Sequence, residues 1–156
     1  MKSAKNSVDD FVMRITKDFP PKDDPIAVAE RFAALMRASG YEFDFSLRSL
    51  TESVDLWLDK NQFHGNDPDV WCKEARLEAY IGEATRRLFN GEWQGSFSEQ
   101  EAGTNYYLSF VRFGDYLYRP SHYIGYRSAN GRDSAGTFAA HFAGKLPLIE
   151  SRIEAW

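Results

Sequence analysis

The stretch 67-DPDVWCKEARLEAYIGEATRRLFNGEW-93 decides the fold. Asp67 is a good N-cap, because its carboxylate can accept from free amides of a first helical turn, and Pro68 suits the first helical position, where no amide hydrogen is needed. Asn90-Gly91 supplies a stop, glycine being able to take the left-handed conformation that ends a helix. About twenty-two residues at ~1.5 Å each give a rod of roughly 33 Å, enough to cross a small domain.

The helical period sorts this segment into faces. Val70, Leu77, Ile81, Ala84 and Leu88 share one stripe, and Trp71, Ala75, Ala79, Gly82 and Phe89 lie beside it. The two stripes cover more than half the circumference, so the helix is expected at the centre. Arg76, Glu83 and Arg87 fall together near Tyr80 with the four-residue Glu-to-Arg spacing of an ion pair, and are expected on a solvated face. Glu74 and Glu78 instead project into the apolar sector. Two like charges one turn apart repel, so buried they need basic partners or a shared proton.

Outward from this helix, the N-terminal side reads as helical. Ser7 is placed to cap a helix carrying Val8, Phe11, Val12 and Ile15, ended by Pro20-Pro21. Asp24-Pro25 opens a second, with Ile26, Ala29, Phe32, Ala33 and Met36 on one side and Gly40 as its stop. Ser46 opens a third, in which Leu47, Leu50, Val54, Trp57 and Leu58 recur at three- and four-residue intervals. A polar link at residues 61–66 suits a loop.

On the C-terminal side the period becomes extended. Residues 93–97, 106–113 and 116–118 are strand candidates, with Gly114-Asp115 as a two-residue hairpin turn. Residues 122–127 read as a further strand, with Tyr118, His122, Ile124 and Tyr126 on one face and Arg119, Tyr123 and Arg127 on the other, at an edge or bent at Pro120, which cannot donate to a ladder. After Asn130-Gly131, Asp133 or Ser134 caps a helix over about 135–143, closed by Gly144, and Pro147 opens a last turn with Leu148, Ile149, Ile153 and Trp156. The expected architecture is a single α+β domain over 1–156: N-terminal helices and one long central helix packed on a small antiparallel sheet, with a C-terminal helix.

Composition narrows the function classes. A charge of −4, a pI near 5.4 and no dense Lys/Arg cluster argue against nucleic-acid binding. The first residues lack the apolar core of a signal peptide and no run reaches membrane-spanning length, so cytoplasmic residence and no membrane association are expected. Cys72 is the single cysteine, expected as a small packing residue. His64, His122 and His141 lack metal-ligand spacing, so neither metal nor cofactor is expected.

Two functions remain. In an enzyme, Glu74 and Glu78, or Glu83, join His122, Arg119 or Arg127, and a desolvated carboxylate acts as general acid or base; the competing reading is that these glutamates only bridge helix to sheet. In a binding protein, the surplus of aromatics at Tyr106, Tyr107, Phe110, Phe113, Tyr116, Tyr118, Tyr123 and Tyr126, beside Arg112, Arg119 and Arg127, forms a protein-binding surface, with Tyr123 and the three arginines as its contacts. The bland version has the helices covering both sheet faces.

Y-I-G-E-x-x-R-R and G-E-W within Tyr80 to Trp93, Pro120 before a strand, and Y-R-x-x-N-G-x-D-S from Tyr126 to Ser134 resemble a set of uncharacterised bacterial proteins, a domain family of unknown function. Those carry a helix ending Y-L-G-E, then G-G-x-W, then a late P…R…N-G…D-S segment. The resemblance spans 45–147 as a family-like core and leaves 1–44 as an N-terminal helical extension; Gly91-Glu92 stands where the family has two glycines. It implies a small protein of the immunity or partner-binding kind. The expectation is therefore an accessory or immunity-type protein acting by protein binding, as monomer or homodimer, with a small hydrolase-like enzyme as the second reading.

Overall fold

The computed structural model describes residues 4–18, 22–61, 68–98 and 109–154. The expectations for Pro20-Pro21, His64, Asp67, Tyr106, Tyr107 and Trp156, and for the side chains of Ser7, Val70, Trp71, Ser134 and Ile153, lie outside the described residues. The fold is α+β. Its elements are α1 (Ala4–Asp18), α2 (Pro25–Ala38), a π-helical turn (Ser49–Ser53) running into α3 (Val54–Lys60), α4 (Pro68–Phe89), β1 (Glu92–Gly95), β2 (Ser109–Phe113), β3 (Tyr116–Tyr118), α5 (Pro120–Asn130), α6 (Arg132–Ala135) and α7 (Phe138–Glu154).

Helix α4 is the centre, as its apolar arc requires. From Leu77 to Thr85 every residue is buried, and α2, α5 and β2 pack around it. A helix enclosed on all sides cannot keep a solvated face, and this overturns two expectations. Tyr80 is fully buried, stacked on Phe43 with ring centroids 4.6 Å apart, and its hydroxyl accepts from the Phe45 amide at 3.0 Å. Glu83, read as a surface charge, is also fully buried. Conversely Leu88, placed on the core stripe, is exposed in the last turn, where the helix emerges from its neighbours.

The stop of α4 works differently from the expectation. Asn90, not Gly91, takes the left-handed conformation, with φ 56°. Gly91 serves by having no side chain: a Cβ there would lie 2.5 Å from Phe113 Cε1 and 2.7 Å from Val111 Cγ1. The chain thus turns directly onto the sheet.

That sheet is antiparallel in the order β1-β2-β3, with Trp93 opposite Val111 and Val111 opposite Tyr118. Gly114-Asp115 forms the two-residue turn between paired Phe113 and Tyr116, as expected. Residues 122–127 are not a strand. Pro120 is the first residue of α5, where a missing amide hydrogen is harmless, and the buried positions Pro120, Tyr123, Ile124 and Arg127 follow a helical spacing. Pro120 therefore starts a helix where an edge strand was expected.

Among the N-terminal elements, Asp24 Oδ1 caps α2 by accepting from Ile26 N at 3.0 Å, and Ser46 Oγ accepts from Ser49 N at 3.1 Å at the start of the third helical segment. Leu50, Val54, Trp57 and Leu58 are buried there, whereas Leu47 is exposed in the first turn. Helix α1 begins at Ala4, ahead of the expected Ser7 cap, and its Val12 and Ile15 cluster with Phe110. Phe32, Ala33 and Phe43 share one core with Leu77, Tyr80 and Ile81, so residues before 45 contribute to the same core as the long helix.

The last helix also departs from expectation. Helix α7 starts at Phe138 and runs through Gly144 and Pro147. Its first free amides are taken by Asp55 of α3: Oδ1 accepts from Phe138 N at 2.7 Å and Oδ2 from Ala139 N at 3.0 Å. Asp55→Ala should therefore lower stability by about 1 kcal/mol, the usual worth of an N-terminal cap. A urea midpoint that does not move would show that water replaces this cap.

Candidate functional site

The glutamates of α4 occupy two separate places. Ser109 of β2 donates to Glu78 Oε1 at 2.7 Å, and Glu78 is 1% exposed. Burial, partly offset by the Ser109 hydrogen bond, pushes its carboxyl up to about 8, with the neighbouring Glu74 charge adding to the rise. Glu78 is thus neutral at pH 7, and the two buried glutamates of this face avoid carrying two charges side by side. Glu74 is also buried.

One turn on, Glu83 is built for the opposite state. Its Oε1 accepts from Arg86 Nε at 2.7 Å and from Trp93 Nε1 at 3.1 Å; its Oε2 accepts from Arg86 Nη2 at 2.7 Å and Arg87 Nε at 2.6 Å. Burial by itself would raise this carboxyl, but the hydrogen bonds from Arg86, Arg87 and Trp93 together outweigh burial and hold it below the ordinary range. Arg87 extends the network, reaching Glu30 of α2 at 3.0 Å and lying 3.9 Å over the Phe45 ring. Gly82 makes room for the indole: a Cβ there would come 2.3 Å from Trp93 Cη2. Gly82, Glu83, Arg86, Arg87 and Trp93, drawn from the Y-I-G-E, R-R and G-E-W segments, thus form one clamp around a buried carboxylate that joins the long helix to β1.

The arginines proposed as contacts are spread apart. Arg127, nearly buried, reaches Asp59 at 3.2 Å and Asp55 at 3.8 Å, and donates to the Tyr123 hydroxyl at 3.2 Å, which in turn donates to Gly136 O at 2.9 Å. Arg112 is paired with Asp9 of α1 at 2.6 Å and donates to Gly114 O. These two brace the fold. Arg119 instead lies across Phe110 and Phe11, its guanidinium 5.5 and 5.8 Å from their centroids, and it is one of the residues lining a cavity.

This cavity, about 630 Å³, opens between β3, α5 and α7. Tyr116, Leu117 and Tyr118 come from β3, Arg119, His122, Tyr123 and Tyr126 from the segment entering and forming α5, and Ala135, His141 and Lys145 complete it. Among these lining residues there is no carboxylate. Among the lining residues two side-chain atoms are buried without a hydrogen-bond partner, Tyr118 Oη and His141 Nε2. Burial, reinforced by Tyr116, keeps the Tyr118 phenol protonated far above its ordinary range. The His141 imidazole is pushed down to about 4 by burial and then by the positive charges of Lys145 and His122, and His122 is lowered by burial, Arg119 and Lys145.

The structure therefore separates the residues that an enzyme reading would combine. Neither Glu74, Glu78 nor Glu83 lines this cavity, while His122, Arg119 and Tyr123 do. His141, Tyr118 and Lys145 were not singled out as a site from sequence; the signal was the four-residue spacing of His141 and Lys145, which sets both on one helix face once α7 is known to continue past Gly144. Cys72 is half-buried in the first part of α4. Among the described residues no cluster of His, Cys, Asp and Glu is arranged to hold a metal ion, and no helix is long and apolar enough to cross a membrane. Comparison with protein-family models, with curated proteins and with solved structures returns no match for this chain.

Proposed function

We propose that this chain is a bacterial cytoplasmic protein that acts by binding another protein, as an immunity-type or accessory protein, and that the cavity between β3, α5 and α7 is its contact surface. The observation that carries this reading is the make-up of the cavity: tyrosines, two imidazoles, one arginine and one lysine with no carboxylate, in a chain of net charge −4. Aromatic and arginine side chains dominate interface energetics because they bury large areas with few rotatable bonds and keep a polar end for pairing. Tyr126, 54% exposed, adds aromatic area at the cavity that the fold itself leaves uncovered. It is also the reading implied by the resemblance of residues 80–93 and 126–134 to uncharacterised bacterial proteins, some of which look like small proteins of the immunity or partner-binding kind.

The hydrolase-like reading draws less support. A general acid must reach a substrate proton, and Glu78 and Glu83 are enclosed, bonded to Ser109 and to Arg86, Arg87 and Trp93 respectively. The test is co-purification from the source cell of the tagged chain and of its Arg119→Glu, Lys145→Glu variant. A stoichiometric partner held by the first and lost by the second is expected. A chain that elutes alone in both cases, or a partner retained equally by both, would count against this surface.

A further inference from the structure

We infer that the sheet face carrying Phe110, Arg112 and Leu117 is a docking site for an amphipathic helix, that α1 is its resident occupant, and that α1 lifts from it while the rest of the fold stays intact. In the binding reading above, the helix that replaces α1 belongs to the protein partner, and this part of the inference rests on that reading.

Successive residues of a strand point to opposite faces of its sheet. Val111, Phe113 and Tyr118 face the main core, together with Leu77, Tyr80 and Ile81 of α4. Phe110 and Arg112 therefore point the other way, and Leu117 stands opposite Arg112 in the register. Phe110 has no exposed surface, and its apolar cluster consists of Val8, Phe11, Val12 and Ile15 of α1 together with Leu117. Phe11 stacks on it with ring centroids 6.3 Å apart. None of these α1 residues belongs to the main core, whereas α2 sends Phe32 and Ala33 into it beside Leu77 and Tyr80.

The polar ties of α1 to this face are weak ones. Asp9, 44% exposed, pairs with Arg112 at 2.6 Å, and an ion pair open to solvent contributes little to stability. Arg119 lies over both Phe11 and Phe110, and burial lowers its guanidinium with no carboxylate acting in the opposite sense. A helix of 15 residues freed of its packing is marginal in water, so α1 unwinds as it leaves. Local opening occurs where few buried apolar contacts have to be broken. Here it bares Phe110, Leu117, Arg112 and Arg119, and aromatic and arginine side chains dominate interface energetics.

The pattern that a replacement must carry is that of α1. Apolar residues stand at 8, 11, 12 and 15, with the carboxylate of Asp9 one position after the first. This is the i, i+3, i+4, i+7 spacing by which an amphipathic helix is recognised in a groove, and Arg112 supplies the need for the acid. Leu117 and Arg119 also line the cavity between β3, α5 and α7, so one partner spans both surfaces.

Two measurements on the full chain test this. In native-state hydrogen exchange the amides of α1 are expected to exchange roughly a hundredfold faster than those of residues 77–85 in α4. Equal protection of the two helices overturns the inference, because α1 then leaves only with global unfolding. The second measurement titrates a fluorescein-labelled peptide with the sequence of residues 4–18 into the Ile15→Lys chain. That substitution sets a charge against Phe110 and frees the face, and undiminished protection of α4 shows that the core is kept. Binding is expected, roughly tenfold tighter than to the wild-type chain, whose own α1 competes at high effective concentration. Adding Arg112→Asp weakens it roughly fivefold, and a peptide carrying Asp9→Arg recovers the loss. No binding to an Ile15→Lys chain with its core intact, equal binding to the wild-type chain, or equal binding of a scrambled peptide overturns the docking site. A wild-type dimer that the peptide dissociates assigns the face to a second copy and overturns the partner helix. A partner lost by the Arg119→Glu, Lys145→Glu variant yet not displaced by the peptide overturns the helical mode and leaves the protein-binding reading intact. Peptide binding by a chain that elutes alone supports the docking site and fails that reading.

Discussion

Replacing both Arg86 and Arg87 by alanine is expected to lower the free energy of unfolding by about 3–5 kcal/mol, the usual result of stranding a buried charge. Glu83 has no exposed surface, while Arg86 and Arg87 are 30% and 36% exposed. The partners are therefore not equivalent. Removing the charge of Glu83 releases two guanidiniums that water can reach, whereas removing the arginines leaves a carboxylate that water cannot. Glu83→Gln, which keeps an acceptor for Trp93 Nε1, is expected to destabilise by only about 1–2 kcal/mol. Denaturation in urea of the three proteins checks the order. Equal losses for the two variants would mean that the carboxylate is as well hydrated as its partners, and would refute the clamp as described. In the double variant only the Trp93 hydrogen bond still opposes the burial effect on Glu83, so its carboxyl rises and the loss shrinks at acidic pH.

Stability should decline as pH rises from about 6.5 to 8, and Glu78→Gln should abolish that decline. Folding raises the Glu78 carboxyl from 4.5 to about 8, so the folded chain holds a proton that the unfolded chain has released. Its stabilising effect is complete below 4.5 and is lost as pH climbs through 8. His141 acts in the other sense: folding lowers it from 6.5 to about 4, so its contribution is present above 6.5 and is lost as pH falls towards 4. Between about 4.5 and 6.5 the two slopes oppose one another and stability is nearly flat. Above 6.5 only Glu78 titrates between its two values, at about 1.4 kcal/mol per pH unit, which amounts to about 2 kcal/mol by pH 8. Melting temperatures measured across this range give the profile. A wild-type curve that stays level from 6.5 to 8, or one in Glu78→Gln that still falls, would show that Glu78 is ionised in the folded chain.

Several residues mark where reading the chain stops being enough. The spacing of Glu74 and Glu78 already placed them inside an apolar sector, and burial follows. The same spacing put Glu83 on the polar side, because a helical wheel records only the residues of its own helix. Glu83 is buried because Trp93 of β1 lies over the bare backbone of Gly82, and that contact depends on how the chain turns at Asn90 and Gly91. Pro120 was read as the mark of an edge strand and is a helix starter. Proline suits both an edge strand and a first helical turn, and the alternation of aromatic residues around it fitted either period over so short a run. Gly144 and Pro147 were read as the end and beginning of separate segments, but Asp55 secures the start of α7 and the helix passes through both.

The candidate site was partly legible in the same way. Arg119, His122 and Tyr123 were singled out and do line the cavity, yet as residues of a strand whose two faces would have separated His122 from the other two. Helical geometry brings them to one opening with His141 and Lys145. Arg112 and Arg127, chosen with them for the same surface, are held by Asp9 and by Asp55 and Asp59.

By itself the sequence determined what local forces determine: where α2, α3 and α4 lie, the hairpin at Gly114-Asp115, the α+β class and the central place of the long helix. These rest on capping groups, turn residues and hydrophobic periods that act within one or two turns. Only the tertiary structure decided which charges are buried, which arginines are spent on bracing the fold and where a cavity is left. Those outcomes depend on pairs far apart in the chain, Glu78 with Ser109 across 31 positions, Arg87 with Glu30 across 57, Asp55 with Phe138 across 83. The free energy of a charge is set by the groups and the water around it, and neither is recorded in the order of its neighbours.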